Sequence, residues 1–200
     1  MRKFTAVLCA AVLTLGMSAS VFANPSISTV STDKVVVAAE SAASLPEGTT
    51  VEVRDAAPEN YENAAAAEAV TKLNDDTTTV TMKDILDILK VDAATAKTQS
   101  GNPIDPTQYE PVTKFADLVL TDGTSVMYDN NGEVVSVKVT LTLDAVKGAK
   151  AENLVIMQID PKTGEVYFIE ITEADFNAET GEVTVTFPCL GPFTVLEKAA

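Results

Sequence analysis

From Phe115 onward, the pattern of apolar and polar residues becomes almost purely that of β-strands. In "TSVMYDNNGEVVSVKVTLTLD", Val135, Val137, Val139, Leu141 and Leu143 alternate with Ser136, Lys138, Thr140 and Thr142. A period of two over nine residues belongs to a half-buried strand, not a helix. "NLVIMQIDPKTGEVYFIEIT" predicts two strands about a Pro-Lys-Thr-Gly turn. Val183, Val185 and Phe187, opposed to Thr184 and Thr186, predict another. Between these runs stand "NGEV" at residues 131–134 and "TGEV" at 163–166 and 180–183. Gly132, Gly164 and Gly181 supply the positive φ of a tight loop, and the Glu-Val that follows re-enters a strand with one polar and one buried side chain. The pattern predicts three hairpin-type corners of an antiparallel system closing a β-sandwich, in which the two faces of a sheet differ.

The preceding residues carry other periods. "LPEGTTVEVRD" turns at Pro46 and Gly48 and then alternates Thr50, Glu52 and Arg54 with Val51 and Val53, a strand with one buried face. "PENYENAAAAEAVTKLN" places Tyr61, Ala65, Ala69 and Leu73 at intervals of four, a narrow helical stripe. "TMKDILDILKV" predicts a second helix, with Thr81 and Asp84 in capping-box spacing and Met82, Ile85, Leu86 and Leu89 on one face. Lys83, Asp84, Asp87 and Lys90 face water. Residues 95–113 hold Pro103, Pro106 and Pro111 and break all periodicity, as a surface crossover or a binding loop would. The expected class is therefore α+β and mainly β, with an antiparallel β-sandwich in the C-terminal half and two helices in the N-terminal half. Residues 46–113 form one domain with residues 114–200.

The N-terminus adds a compartment. "MRKFTAVLCAAVLTLGMSASVFA" sets Arg2 and Lys3 before an apolar run that ends in Val21-Phe22-Ala23, the pattern of a secretory signal peptide (residues 1–23) cleaved near Ala23. Residues 24–45 read as a flexible leader with one edge strand at the apolar run Val35–Ala39. No other stretch reaches the roughly 20 apolar residues of a membrane span, so the mature chain is expected to have none. The formal net charge of −15 argues against nucleic acid and anionic membrane surfaces as partners.

The chain has no histidine, which removes imidazole-dependent catalysis and the usual zinc sites. It has no tryptophan either, so stacking on a sugar falls to its 4 tyrosines. Cys189 in "FPCLGPF" has no histidine partner and apolar neighbours, which fits a core residue. Lys138 shares a side with Ser136 and Thr140 and faces outward, whereas a lysine–asparagine cross-link needs a buried lysine. No carboxylate pair stands out among 29 acids. The expectation is a non-enzyme. Exposed chemistry gathers in the crossover, at Asp105 and Tyr109, and in the "YDNNGE" corner, giving Tyr109, Tyr128, Asp129, Asn130 and Asn131 as candidate ligand-binding residues. Asp129, Asn131, Glu133 and Asp160 are oxygen donors beside a glycine. They admit two readings, turn chemistry alone or a structural calcium ion, and the second lacks the full alternating ligand series of an EF-hand. No other cofactor is indicated.

"LPEGTTVEVRDAAPENYENAAAAEAV", "DLVLTDG", "VVSVKVTLTLD", "LVIMQIDPKTGEVYFIEI" and "EVTVTFPCLGPFTVLEK" together resemble a module of secreted and cell-surface proteins of Gram-positive, Firmicutes-like gut bacteria. "GPF" at residues 191–193 occupies the place of that module's Ser-Pro-Phe, and "LVIMQID" replaces a histidine-bearing strand. The resemblance spans residues 45–197, except that residues 75–113 look like an insertion. It implies a β-sandwich in an extracellular setting and no catalytic residues. Two functional expectations follow: a secreted structural or interaction module of a bacterial envelope, or a secreted protein that binds glycan or calcium. Its partners would be other extracellular proteins or cell-wall glycan.

Overall fold

The computed structural model describes residues 35–42, 45–76, 79–122 and 136–199. These residues form ten strands and three α-helices. The strands are β1 (Val35–Val37), β2 (Val51–Asp55), β3 (Tyr109–Pro111), β4 (Ala116–Leu120), β5 (Val137–Thr142), β6 (Leu154–Ile159), β7 (Val166–Glu170), β8 (Phe176–Asn177), β9 (Glu182–Phe187) and β10 (Gly191–Lys198). The helices are α1 (Ala39–Ala42), α2 (Ala64–Asp75) and α3 (Met82–Leu89). The larger sheet runs β2-β4-β10-β6-β7, with β3 also paired to β10, and the smaller runs β1-β5-β9-β8. Every strand pair is antiparallel. The mainly-β α+β class is as the sequence predicts. The sandwich is not confined to the C-terminal half, however, because β1 and β2 are members of its two sheets. Within the span read as a leader, Val35–Val37 is an edge strand paired with β5.

Two apolar cores share the larger sheet. Val137, Val139 and Leu141 of β5 and Val183, Val185 and Phe187 of β9 meet Leu118, Leu120, Leu154, Ile156, Phe193 and Val195 between the sheets. Phe187 packs edge-on against Phe193, with centroids 5.2 Å apart. On the opposite face, Val155, Met157, Ile159 and Phe168 lie under α2 and α3. The larger sheet is thus covered on both faces, which corrects the expectation of one polar and one buried face. The physical reason is visible in β4 and β6, whose residues are all buried. Their runs "ADLVL" and "LVIMQI" do not alternate, because neither face meets water.

The helices form for local reasons and seat for tertiary ones. Asn63 caps α2 by accepting from the Ala66 N–H at 3.0 Å and donates its amide to the Thr163 carbonyl at 2.8 Å, tying the helix start to the β6–β7 corner. At the other end the Asn74 side chain bonds both the N–H and C=O of Phe115. The buried stripe of α2 is Ala66, Ala69, Val70 and Leu73. Tyr61 precedes the helix and Ala65 is only half-buried, so the interval-of-four stripe is displaced by one residue at its start. In α3 the Thr81–Asp84 capping box is present and Met82, Ile85, Leu86 and Leu89 are buried, as expected.

Gly164 (φ +79°) turns the β6–β7 hairpin and Gly181 (φ +74°) the β8–β9 hairpin. The third corner, residues 131–134, lies outside the described residues. The strands either side of it, β4 and β5, belong to different sheets. Among the described residues no helix is long and apolar enough to cross a membrane.

Candidate functional site

Of the residues singled out from sequence, Tyr128, Asp129, Asn130, Asn131 and Glu133 lie outside the described residues. Tyr109 opens β3 opposite Lys198 and is half-buried against the helix-side core. Burial raises its phenol pKa, and the nearby Glu170 adds to the rise. Asp160 is buried, and one of its carboxylate oxygens accepts from the backbone N–H groups of Lys162 (2.8 Å) and Thr163 (3.2 Å), which shapes the Gly164 corner. Asp105 accepts from the Thr107 N–H and hydroxyl and from the Gln108 amide, capping a short 3-10 turn. The Thr107 hydroxyl above all holds its pKa below the ordinary carboxylate value. Among the described residues no three His, Cys, Asp or Glu side chains converge as a metal cluster would.

The structure brings together two polar groupings that the sequence reading did not assemble. Asp117 is 4% exposed, on β4 between β2 and β10 of the larger sheet. Its two oxygens accept from the Tyr61 hydroxyl at 2.5 Å and the Ala57 N–H at 3.0 Å, pinning the segment before α2 onto β4. Burial raises the pKa of Asp117, against the two hydrogen bonds, and burial likewise raises that of Tyr61. A lone acid in the apolar run "FADLVL" was the available signal. In the second grouping, the Gln158 amide donates to the Cys189 carbonyl at 2.7 Å, and its own oxygen has no partner among the described residues. Burial pushes the Cys189 thiol up to about 12, with help from Asp160 and Glu165. Such a thiol stays protonated at neutral pH and is a poor nucleophile.

Within the crossover, residues 98–102 pass along the outer edge of β7. The Gln99 N–H donates to the Phe168 carbonyl at 2.7 Å, and the Asn102 amide donates to the Glu170 carboxylate at 3.1 Å. Beside this crossing lies a polar cleft of 230 Å³, lined by Gln99, Ser100, Glu170 and Asp175 together with Lys138, Thr184 and Thr186. It is smaller than the roughly 300–1,000 Å³ of sites that enclose drug-sized ligands, so it admits one sugar ring or a short piece of chain. The crossover also borders an open groove at Ala93, Pro103, Ile104 and Asp105.

In comparisons with known proteins, no family model matched the chain, and no curated protein or solved structure matched it.

Proposed function

We propose that the protein is a secreted, non-catalytic structural or interaction module of a bacterial envelope. The observation that carries this reading is where four of the six buried polar side chains among the described residues go. Asp117 and Asp160 bond backbone N–H groups. The Thr113 and Thr194 hydroxyls bond each other, the Thr194 hydroxyl also donates to the Thr113 carbonyl, and the Thr113 hydroxyl accepts from the Val195 N–H of β10. Asp117, Thr113 and Thr194 hold distant segments together and Asp160 shapes its own turn, a structural use of polarity. The signal-peptide pattern supports export, the absence of histidine narrows the catalytic repertoire, and the module-like motifs support a Gram-positive extracellular setting. A second reading, a secreted glycan-binding protein, draws on the polar cleft at Lys138 and Glu170.

Purified protein incubated with bacterial envelopes separates the two readings. Retention on protein-bearing envelopes, lost after protease treatment and unchanged by chelator, is expected. Retention on protein-free wall glycan that free sugar releases would favour the second reading, and loss of retention with chelator would bring calcium back.

A further inference from the structure

Among the described residues, the outer edge of β9 leaves main-chain groups without a neighbouring strand. The Leu143 N–H donates to the Gly181 carbonyl at 2.9 Å. The β5–β9 register continues from there with Leu141 opposite Val183, Val139 opposite Val185 and Val137 opposite Phe187. Bonded and non-bonded pairs alternate along an antiparallel ladder. Val183, Val185 and Phe187 therefore turn their N–H and C=O groups toward β5, and Thr184 and Thr186 turn theirs to the other side. On that side stands β8, whose register ends where Phe176 meets Val183. Thr186 has no strand opposite it among the described residues, and it lines the polar cleft. It is half-buried, so its backbone groups have limited access to water, and an unpaired backbone group in such a place favours any partner that bonds it.

We propose that this edge docks a short extended segment of a partner protein, which adds about two or three residues beside β9 at Thr186 and points a basic side chain at Glu170 and Asp175. Main-chain bonds would supply the attachment and the flanking side chains the preference, as in other strand additions. A peptide fits better than a sugar because the vacancy is one N–H and one C=O on a strand's own line. The facing edge of β7 is already in use, since the Phe168 carbonyl accepts from Gln99. A basic segment fits because the cleft sets two carboxylates against the single ammonium of Lys138, and the chain's net charge of −15 attracts cations from a distance. The inference rests on the interaction-module reading and names the surface that reading would use.

The test is an amide-resolved NMR titration of the full-length protein with an end-blocked hexapeptide of alternating threonine and lysine, with a threonine–glutamate peptide as control. In the free protein the Thr186 amide is expected to exchange much faster than that of Val185. Millimolar Thr-Lys peptide should shift the Thr186 signal and slow its exchange about tenfold, while the acidic peptide leaves it unmoved. Glu170→Gln combined with Asp175→Asn should weaken binding about tenfold. Thr186→Pro removes only the outward N–H, which a strand tolerates on its free side, and should abolish binding with the far-UV spectrum retained. A Thr186 amide as protected as Val185 before any peptide, no shift with the Thr-Lys peptide, or an equal response to both peptides would each overturn the proposal. Envelope retention by the unmodified protein would persist in those cases, which separates this failure from failure of the interaction-module reading.

Discussion

Asp117 is the one charged residue of a strand whose other four are apolar, and its consequences begin at the scale of a single carboxyl group. Burial favours its protonated form, so its folded pKa lies above the unfolded value near 3.9. A carboxyl shifted this way contributes most to stability below its unfolded pKa, and that contribution is lost as pH rises through the folded pKa. Asp117→Asn should therefore remove part of the decline in stability between about pH 4 and neutrality, measured as the wild-type minus variant difference in urea unfolding. An unchanged difference across that range would refute the assignment. Cys189 makes a second prediction at this scale. With its thiol at about 12 and 2% exposed, it should resist a disulfide reagent at pH 8 until the protein is unfolded. Both residues carried a legible sign, an acid amid apolar residues and a cysteine among apolar neighbours. Asp117's partner Tyr61 did not, because they are 56 positions apart and no period links them.

At the scale of elements, the glycine corners at Gly164 and Gly181 and the capping box of α3 were legible because they are local. Gly48 and Gly181 both have positive φ, yet a Cβ on Gly48 would meet open space and one on Gly181 would lie 2.3 Å from the Leu143 carbonyl oxygen. Gly48→Ala should cost about 1 kcal/mol for the backbone conformation alone. Gly181→Ala should cost clearly more, and equal losses in thermal denaturation would contradict the register at that corner. Thr81→Ala, which breaks the α3 capping box, should cost about 0.5–2 kcal/mol. The sequence misplaced the start of the α2 stripe, because an alanine-rich segment offers no size contrast to mark which face is buried. Asn63 decided that face by tying the helix start to the Thr163 carbonyl.

For the whole molecule, the larger sheet has a core on each face. Leu73 belongs to the helix-side core and Phe187 to the inter-sheet core, and both are fully buried. Leu73→Ala should cost about 2–5 kcal/mol and Phe187→Ala about 3–5 kcal/mol. Because one sheet serves both cores, each variant should still unfold in a single transition, with near- and far-UV signals lost together. Separate transitions would mean that the helical layer is an independent unit.

The sequence by itself determined the strands whose outer face meets water, the N-terminal capping box of α3 and the turns at Gly164 and Gly181, all properties of neighbouring residues and simple periods. It also determined the acidity and the lack of imidazole. Only the tertiary structure decided that β1 and β2 join the two sheets and that helices cover the second face of the larger one. The same holds for the pairing of Asp117 with Tyr61 and for the short β8 that leaves Thr186 without an opposing strand among the described residues. Those outcomes depend on which distant surfaces meet. A period of two reports only that one face of a strand is wet, and an unbroken apolar run such as "LVIM" says that both faces are dry without saying what covers them.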